Sequence, residues 1–159
     1  MFLKILIFNS KIKCNGRVEL ESTSDFEKTI LDHAVKIGSL AKVEDVATSQ
    51  LEQIIASLEN SPDRRNSILI CAAFAMRQAK RSEKEERRGR EKKGFTKTGK
   101  AIVEAIKEIY SKNGGKEDVR KLLGLAKWVK ESLENENIPE QGFKDFDEYL
   151  KFFEPSNKR

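Results

Sequence analysis

The sequence predicts a mainly α-helical bundle with a small N-terminal antiparallel β element. Three observations carry that expectation. Apolar residues recur at three- and four-residue spacing over most of the chain, which gathers them on one face of a helix. Only three prolines and nine glycines interrupt the 159 residues, so the segments between breaks are long. Residues 1–22 alone read differently, with an apolar run rich in Ile and Phe followed by alternating polarity around Asn15-Gly16. The expected organisation is a strand or hairpin element over 1–22, packed on a helical domain over 23–159.

Residues 2–8 suit a buried strand, because β-branched and aromatic side chains fill a pleated surface well. Asn15-Gly16 is a strong hairpin signal, since both residues tolerate positive φ. Residues 11–14 and 17–20 flank it. A lone hairpin is marginal in water, so it has to pack on the helices or pair with another chain. Ser24-Asp25-Phe26-Glu27 then has the form of a capping box. Phe26, Ile30, Ala34 and Ile37 make the apolar face of a first helix, and Gly38 is its expected end. His33, the single histidine, lies beside that face as a boundary residue with one hydrogen-bond partner. Val43, Val46, Ala47, Leu51, Ile54, Ile55 and Leu58 predict a second amphipathic helix.

The third segment departs from ordinary packing material. Ser61-Pro62-Asp63 reads as a helix start, with a capping serine, a proline where no donor is needed and an acid at the positive end of the dipole. Residues 68–76 are apolar on every face, which predicts enclosure by neighbouring helices. Cys71 sits in that run as a small buried hydrophobe. The run is about half the length a bilayer requires. The helix is expected to continue to residue 92 and to turn abruptly basic. Arg77, Lys80, Lys84 and Arg87 fall at spacings of three and four, and Arg77, Arg81, Lys84 and Arg88 repeat the stripe about one residue over.

Residues 77–97 hold ten Lys/Arg against four Glu, whereas the whole chain is only +5. The basicity is therefore local. Positive charge gathered in one place is the footprint of a polyanion partner, driven by release of condensed counterions. Arginine adds planar, bidentate phosphate recognition. The candidate nucleic-acid-binding residues are Arg77, Lys80, Arg81, Lys84, Arg87, Arg88, Arg90, Lys92, Lys93 and Lys97. The competing reading is a solvated helix in which Glu83, Glu85, Glu86 and Glu91 pair with neighbours at i,i+4.

Residues 94–99 read as an interhelical turn. Ile102, Ala105, Ile106 and Ile109 face the core from the next helix, which ends at Asn113-Gly114-Gly115. Val119, Leu122, Leu123, Ala126, Val129 and Leu133 do so from the one after. Trp128 sits at the edge of that stripe, either as core or as a platform for a base or a neighbouring subunit. Phe143, Phe146, Tyr149, Leu150, Phe152 and Phe153 crowd a short last helix closed by Pro155. The candidate interaction residues are Trp128, Phe146, Tyr149 and Phe152.

Catalytic patterns are missing from the sequence. One histidine makes no histidine-pair metal site, and Cys14 and Cys71 form no zinc or disulfide pattern. No nucleophile elbow, phosphate loop or dinucleotide fingerprint occurs. The expectation is a non-enzyme with no cofactor, no metal, no small-molecule substrate and no membrane partner. The short N-terminal apolar run lacks a small-residue cleavage site, so the expected compartment is the cytoplasm.

Residues 68–81, apolar and then basic, together with 119–133 and the Phe-rich 143–153, resemble the small subunits of CRISPR effector complexes. The strand-like N-terminus and the extended charge run depart from the compact type III pattern and fit a type I-A-like small subunit better. The resemblance implies a non-catalytic helical subunit. It implies contacts with copies of itself and with other effector-complex subunits. It also implies a basic groove that holds the guide RNA–target duplex or the displaced single-stranded DNA by its backbone. The alternatives are a helical DNA-binding regulator and a protein–protein adaptor with a basic docking helix. The length of the expected third helix argues against the first, because a helix-turn-helix reads DNA with a short recognition helix.

Overall fold

A computed structural model describes residues 16–60, 62, 66–89 and 94–155, with side chains from residue 25 onward. Among them the protein is mainly helical, with six helices: α1 (Gly16–Val43), α2 (Thr48–Glu59), α3 (Asn66–Glu86), α4 (Thr96–Ser111), α5 (Lys116–Ser132) and α6 (Phe146–Phe153). The expected strand over 2–8 and the residues 11–14 lie outside the described residues. The second half of the expected hairpin does not form. Residues 16–22 are the first two turns of α1, and Ser24-Asp25-Phe26-Glu27 is helix interior instead of a start. Residues 16–22 contain no proline, so nothing local stops α1 from extending upstream to Gly16.

The five long helices close into a ring. α1 packs on α4, α4 on α3, α3 on α2, α2 on α5, and α5 back on α1. Ile30, Ile37, Leu51, Ile54, Leu58, Ile68, Ile102, Ile106, Ile109 and Leu122 fill its interior with almost no exposure. A buried Leu or Ile side chain stabilises by about 1.5–3 kcal/mol relative to leaving it in water, so this cluster dominates stability. α6 sits outside the ring on α1, over a second cluster of Val35, Val129, Leu133 and Phe143.

Close crossings decide where the helices end. Gly38 does not end α1, which runs on to Val43. A methyl group placed on Gly38 falls 2.5 Å from the Ala126 carbonyl oxygen and 2.7 Å from the Val129 Cβ, so this glycine lets α5 approach. The true stop lies at Asp45, with φ 50°, where the Val46 N–H reaches back to the Ala41 carbonyl at 2.8 Å. That is a Schellman arrangement built without glycine. α4 stops the same way: Asn113 has φ 61° and the Gly114 N–H donates to the Ile109 carbonyl at 2.8 Å. Val43 therefore belongs to α1, and the second helix begins at Thr48.

α3 is shorter than its sequence pattern. It starts at Asn66, not at Pro62, and ends at Glu86, where residues 87–89 turn and Gly89 takes φ 67°. Its apolar run is not enclosed. Ile68, Cys71 and Ala75 are buried, whereas Leu69, Ile70 and Ala73 face solvent. Small residues explain the partial cover, because Ala75 and Ala79 need only one neighbour to bury them. That neighbour is α4, drawn in by Gly99, whose added Cβ would lie 2.7 Å from the Ala79 Cβ. Gly99 is thus inside α4, and the expected turn shrinks to Gly94-Phe95. Cys71 is buried against α2, and burial pushes its thiol up to about 11.

Candidate nucleic-acid interface

The corner where α3 ends and α4 begins carries the basic residues. Phe95 anchors it, buried to 1% exposure, with its backbone N–H donating to the Ser82 hydroxyl at 2.9 Å. Thr96 donates to the Glu86 carboxylate at 3.0 Å. No acid occupies the first turn of α4. Glu44, beyond the end of α1, supplies one from a distance. Its carboxylate accepts from the Lys97 N–H, the Thr98 N–H and the Thr98 hydroxyl, each at 2.7 Å. The positive end of the α4 dipole is therefore already neutralised. Side chains, and not a helix terminus, make this corner electropositive.

Arg77, Lys80, Arg81 and Lys84 all lie on the exposed face of α3, as their spacing predicts. Arg87 and Arg88 follow in the exposed turn, off the helix. Lys97 is exposed at the start of α4. Arg90, Lys92 and Lys93 lie outside the described residues. Lys100 was missed by the sequence reading. It is exposed one turn after Lys97, and its charge reaches Glu83 on α3. The signal was present in the Lys97/Lys100 spacing, but the segment read as a turn.

Internal pairing takes up part of the charge. Lys80 and Arg87 both meet Glu83 at 2.9 Å, and Arg81 meets Glu85 at 3.6 Å. Lys80 beside it holds the Glu83 carboxyl below the usual carboxylate range. These three cations remain 63–78% exposed. Exposed pairs of this kind hold their partners only weakly, so these cations stay accessible from solvent. Arg77, Lys84, Arg88, Lys97 and Lys100 make no ion pair among the described residues. The corner keeps eight Lys/Arg against three Glu over 77–89 and 94–100. Lys84 also lies in the last turn of α3, at the negative end of its dipole.

The candidate interaction residues divide. Trp128 is not core: it stands 68% exposed on α5. Phe146, Tyr149 and Phe152 turn partly inward onto Phe143, with ring centroids 5.3 Å apart for Phe143–Phe152 and 6.0 Å for Phe143–Tyr149. The exposed members of α6 are Leu150 and Phe153 instead. The Tyr149 hydroxyl meets the Ser132 hydroxyl at 2.8 Å, which ties α6 to the turn of α5 that follows Trp128.

Two other polar places are fully committed. His33 meets Glu108 at 2.7 Å, and Lys112 reaches the same carboxylate at 2.8 Å. These two partners, Lys112 foremost, hold Glu108 below its ordinary value. A cleft of about 890 Å³ opens at the far end of α4, roughly 24 Å from the basic corner at 1.5 Å per residue. Its Arg120 grips both carboxylate oxygens of Glu59, at 2.5 and 2.6 Å, and Lys116 approaches the same group at 3.5 Å. Its charges are spent on each other. Among the described residues no cluster of His, Cys, Asp and Glu is arranged to hold a metal, and no helix is long and apolar enough to cross a membrane.

Fold and site together define a small helical-ring protein with a basic corner where α3 gives way to α4. Comparison with protein-family models, curated proteins and solved structures gives no match.

Proposed function

We propose that this protein binds nucleic acid by its phosphate backbone, without catalysis, through the α3–α4 corner. One observation carries the reading: five cations of that corner stand exposed and without an ion pair among the described residues, on a scaffold fixed by Phe95 and by the Glu44 cap. Phosphate contacts of this kind position a strand without reading its sequence. No aromatic side chain is interleaved with the basic stripe on α3, so the contact proposed there is with the backbone. The resemblance to small subunits of CRISPR effector complexes sets the biological frame of the proposal: a non-enzymatic subunit that holds a guide–target duplex or a displaced strand.

Fluorescence anisotropy with short duplex and single-stranded probes tests it. Binding is expected to weaken linearly with log salt and to differ little between sequences. Each lost phosphate contact lowers the magnitude of the salt slope by about 1. Replacing Arg77, Lys84, Arg88 and Lys100 by alanine is therefore expected to flatten the slope by about 3–4. An unchanged slope and affinity would falsify the assignment. A thousandfold preference for one sequence would favour the DNA-binding regulator.

A further inference from the structure

The outer face of α3 carries more than charge. Leu69, Ile70 and Ala73 lie on it in the first turns and Arg77, Lys80, Arg81 and Lys84 in the later ones, all exposed. Leu69 is 45% and Ile70 49% exposed. From Leu69 to Lys84 the stripe runs about 22 Å at 1.5 Å per residue. Single apolar residues scattered over a surface need no explanation, but these two are adjacent and open a charged stripe. Phosphate contacts with a nucleic acid account for the cations. They give no account of two large aliphatic side chains held in water on the same face.

The flanks extend this character. α4 and α2 are the main neighbours of α3, and the acids of both are drawn away from it. On α4, Glu104 meets Lys36 at 2.8 Å and Glu108 meets His33 at 2.7 Å, both partners on α1. On α2, Glu52 meets Lys127 at 2.8 Å and Glu59 meets Arg120, both partners on α5. What α4 exposes beside α3 is Lys100 and Lys107, without an ion pair among the described residues, with Val103 half-buried between them. α2 exposes Ser49, Gln53 and Ala56, all uncharged. Along α3 itself no acid precedes Glu83. Cations and hydrocarbon thus share one face, and the acids sit at its far end or at the seams behind it. Headgroup phosphate above acyl chain is the surface that matches both. Residues 68–76 are too short to cross a bilayer, which set a membrane aside in the sequence, but lying on one requires only an exposed face.

We infer that α3 is a membrane-surface element: it lies along an anionic lipid bilayer, with Leu69 and Ile70 pressed into the boundary between headgroups and acyl chains and Arg77, Lys84, Lys100 and Lys107 against lipid phosphates. This goes beyond the nucleic-acid reading and does not rest on it. The two ligands share cations, so a molecule seated on lipid has no free stripe for a strand. Two aliphatic side chains anchor only weakly. Binding therefore depends on anionic headgroups, and a bilayer without them is not bound.

Co-sedimentation of the full chain with vesicles, in low salt and without nucleic acid, tests it. Vesicles of phosphatidylcholine and phosphatidylglycerol in a two-to-one ratio are expected to take the protein down, and vesicles of phosphatidylcholine alone are expected to leave it in solution. Binding is expected to be lost at about 1 M salt, where charges act over only about 3 Å. Each cation removed from an anionic surface lowers partitioning about fivefold, so Arg77→Ala/Lys107→Ala is expected to bind about 25-fold more weakly. Leu69→Ser/Ile70→Ser leaves charge alone. It is expected to bind mixed vesicles about tenfold more weakly and to keep wild-type affinity for a short duplex. In a Trp128→Phe background the emission of Ile70→Trp is expected to shift to the blue on mixed vesicles, whereas wild-type Trp128, on α5, is expected not to shift. All of these sites are exposed, and unchanged helical circular dichroism checks the fold. A wild-type protein left in solution by mixed vesicles, binding that ignores Leu69→Ser/Ile70→Ser, a blue shift at Trp128 but not at Ile70→Trp, or equal losses on vesicles and duplex overturns the proposal. A chain that binds mixed vesicles in this way but no nucleic acid refutes the nucleic-acid reading and leaves the lipid face standing.

Discussion

Two glycines inside helices, Gly38 in α1 and Gly124 in α5, look alike in sequence and are expected to respond to alanine in opposite directions. Around Gly124 nothing lies within 4 Å of an added Cβ. Alanine there supplies only the helix-propensity gain, about 0.5–1 kcal/mol. At Gly38 the added carbon meets backbone: the Ala126 carbonyl oxygen at 2.5 Å, with the Val129 Cβ at 2.7 Å. Neither contact is the end of a flexible side chain, so α1 and α5 must separate. Overpacking of this kind costs about 1–3 kcal/mol. With the upper half of that range less the propensity gain, Gly38→Ala is destabilising by about 1–2 kcal/mol. For a chain of this length 1 kcal/mol moves Tm by about 2–4 °C. Thermal melts followed by circular dichroism are expected to place Gly124→Ala about 1–4 °C above wild type and Gly38→Ala about 2–8 °C below it. Shifts of the same sign, or a Gly38→Ala protein as stable as wild type, would show that the α1–α5 crossing is not held at glycine distance.

Other perturbations have defined outcomes. Glu44→Ala removes three hydrogen bonds from the start of α4 and is expected to cost about 1–2 kcal/mol in urea denaturation, with Glu44→Asp recovering little because the reach is too short. Glu108 sits below its ordinary value of 4.5, first through Lys112 and then through His33, so its contribution is present above 4.5 and fades as pH falls through the lowered value. Urea midpoints measured from pH 6 down to pH 3 should therefore drop less steeply in Glu108→Gln than in wild type. With its thiol pushed up to about 11 and no exposure, Cys71 is expected to resist alkylation at pH 8 until the fold opens, as read by mass spectrometry in a Cys14→Ser background. Trp128, the only tryptophan, is expected to be quenched by iodide in the folded protein, and Trp128→Ala to change stability by less than about 0.5 kcal/mol.

Much of this protein is legible in the order of its residues. The helical class, the inward faces of α4 and α5, the burial of Cys71, the single partner of His33 and the exposed run of Arg77, Lys80, Arg81 and Lys84 all follow from spacing and side-chain type. They follow because periodicity and charge are local properties of one helix. What the sequence could not settle depends on a second helix. Gly38 read as a helix end and Gly99 as part of a turn, yet each is a crossing point, since only the partner across the interface distinguishes a missing Cβ needed for a turn from one needed for contact. The apolar run of α3 read as enclosed, yet α4 and α2 cover only its inner face and leave Leu69 and Ile70 exposed. Glu44 and Thr98 are 54 residues apart in the chain and 2.7 Å apart in space. That cap exists only because the end of α1 meets the start of α4, which the tertiary structure decides and no local pattern in either helix encodes.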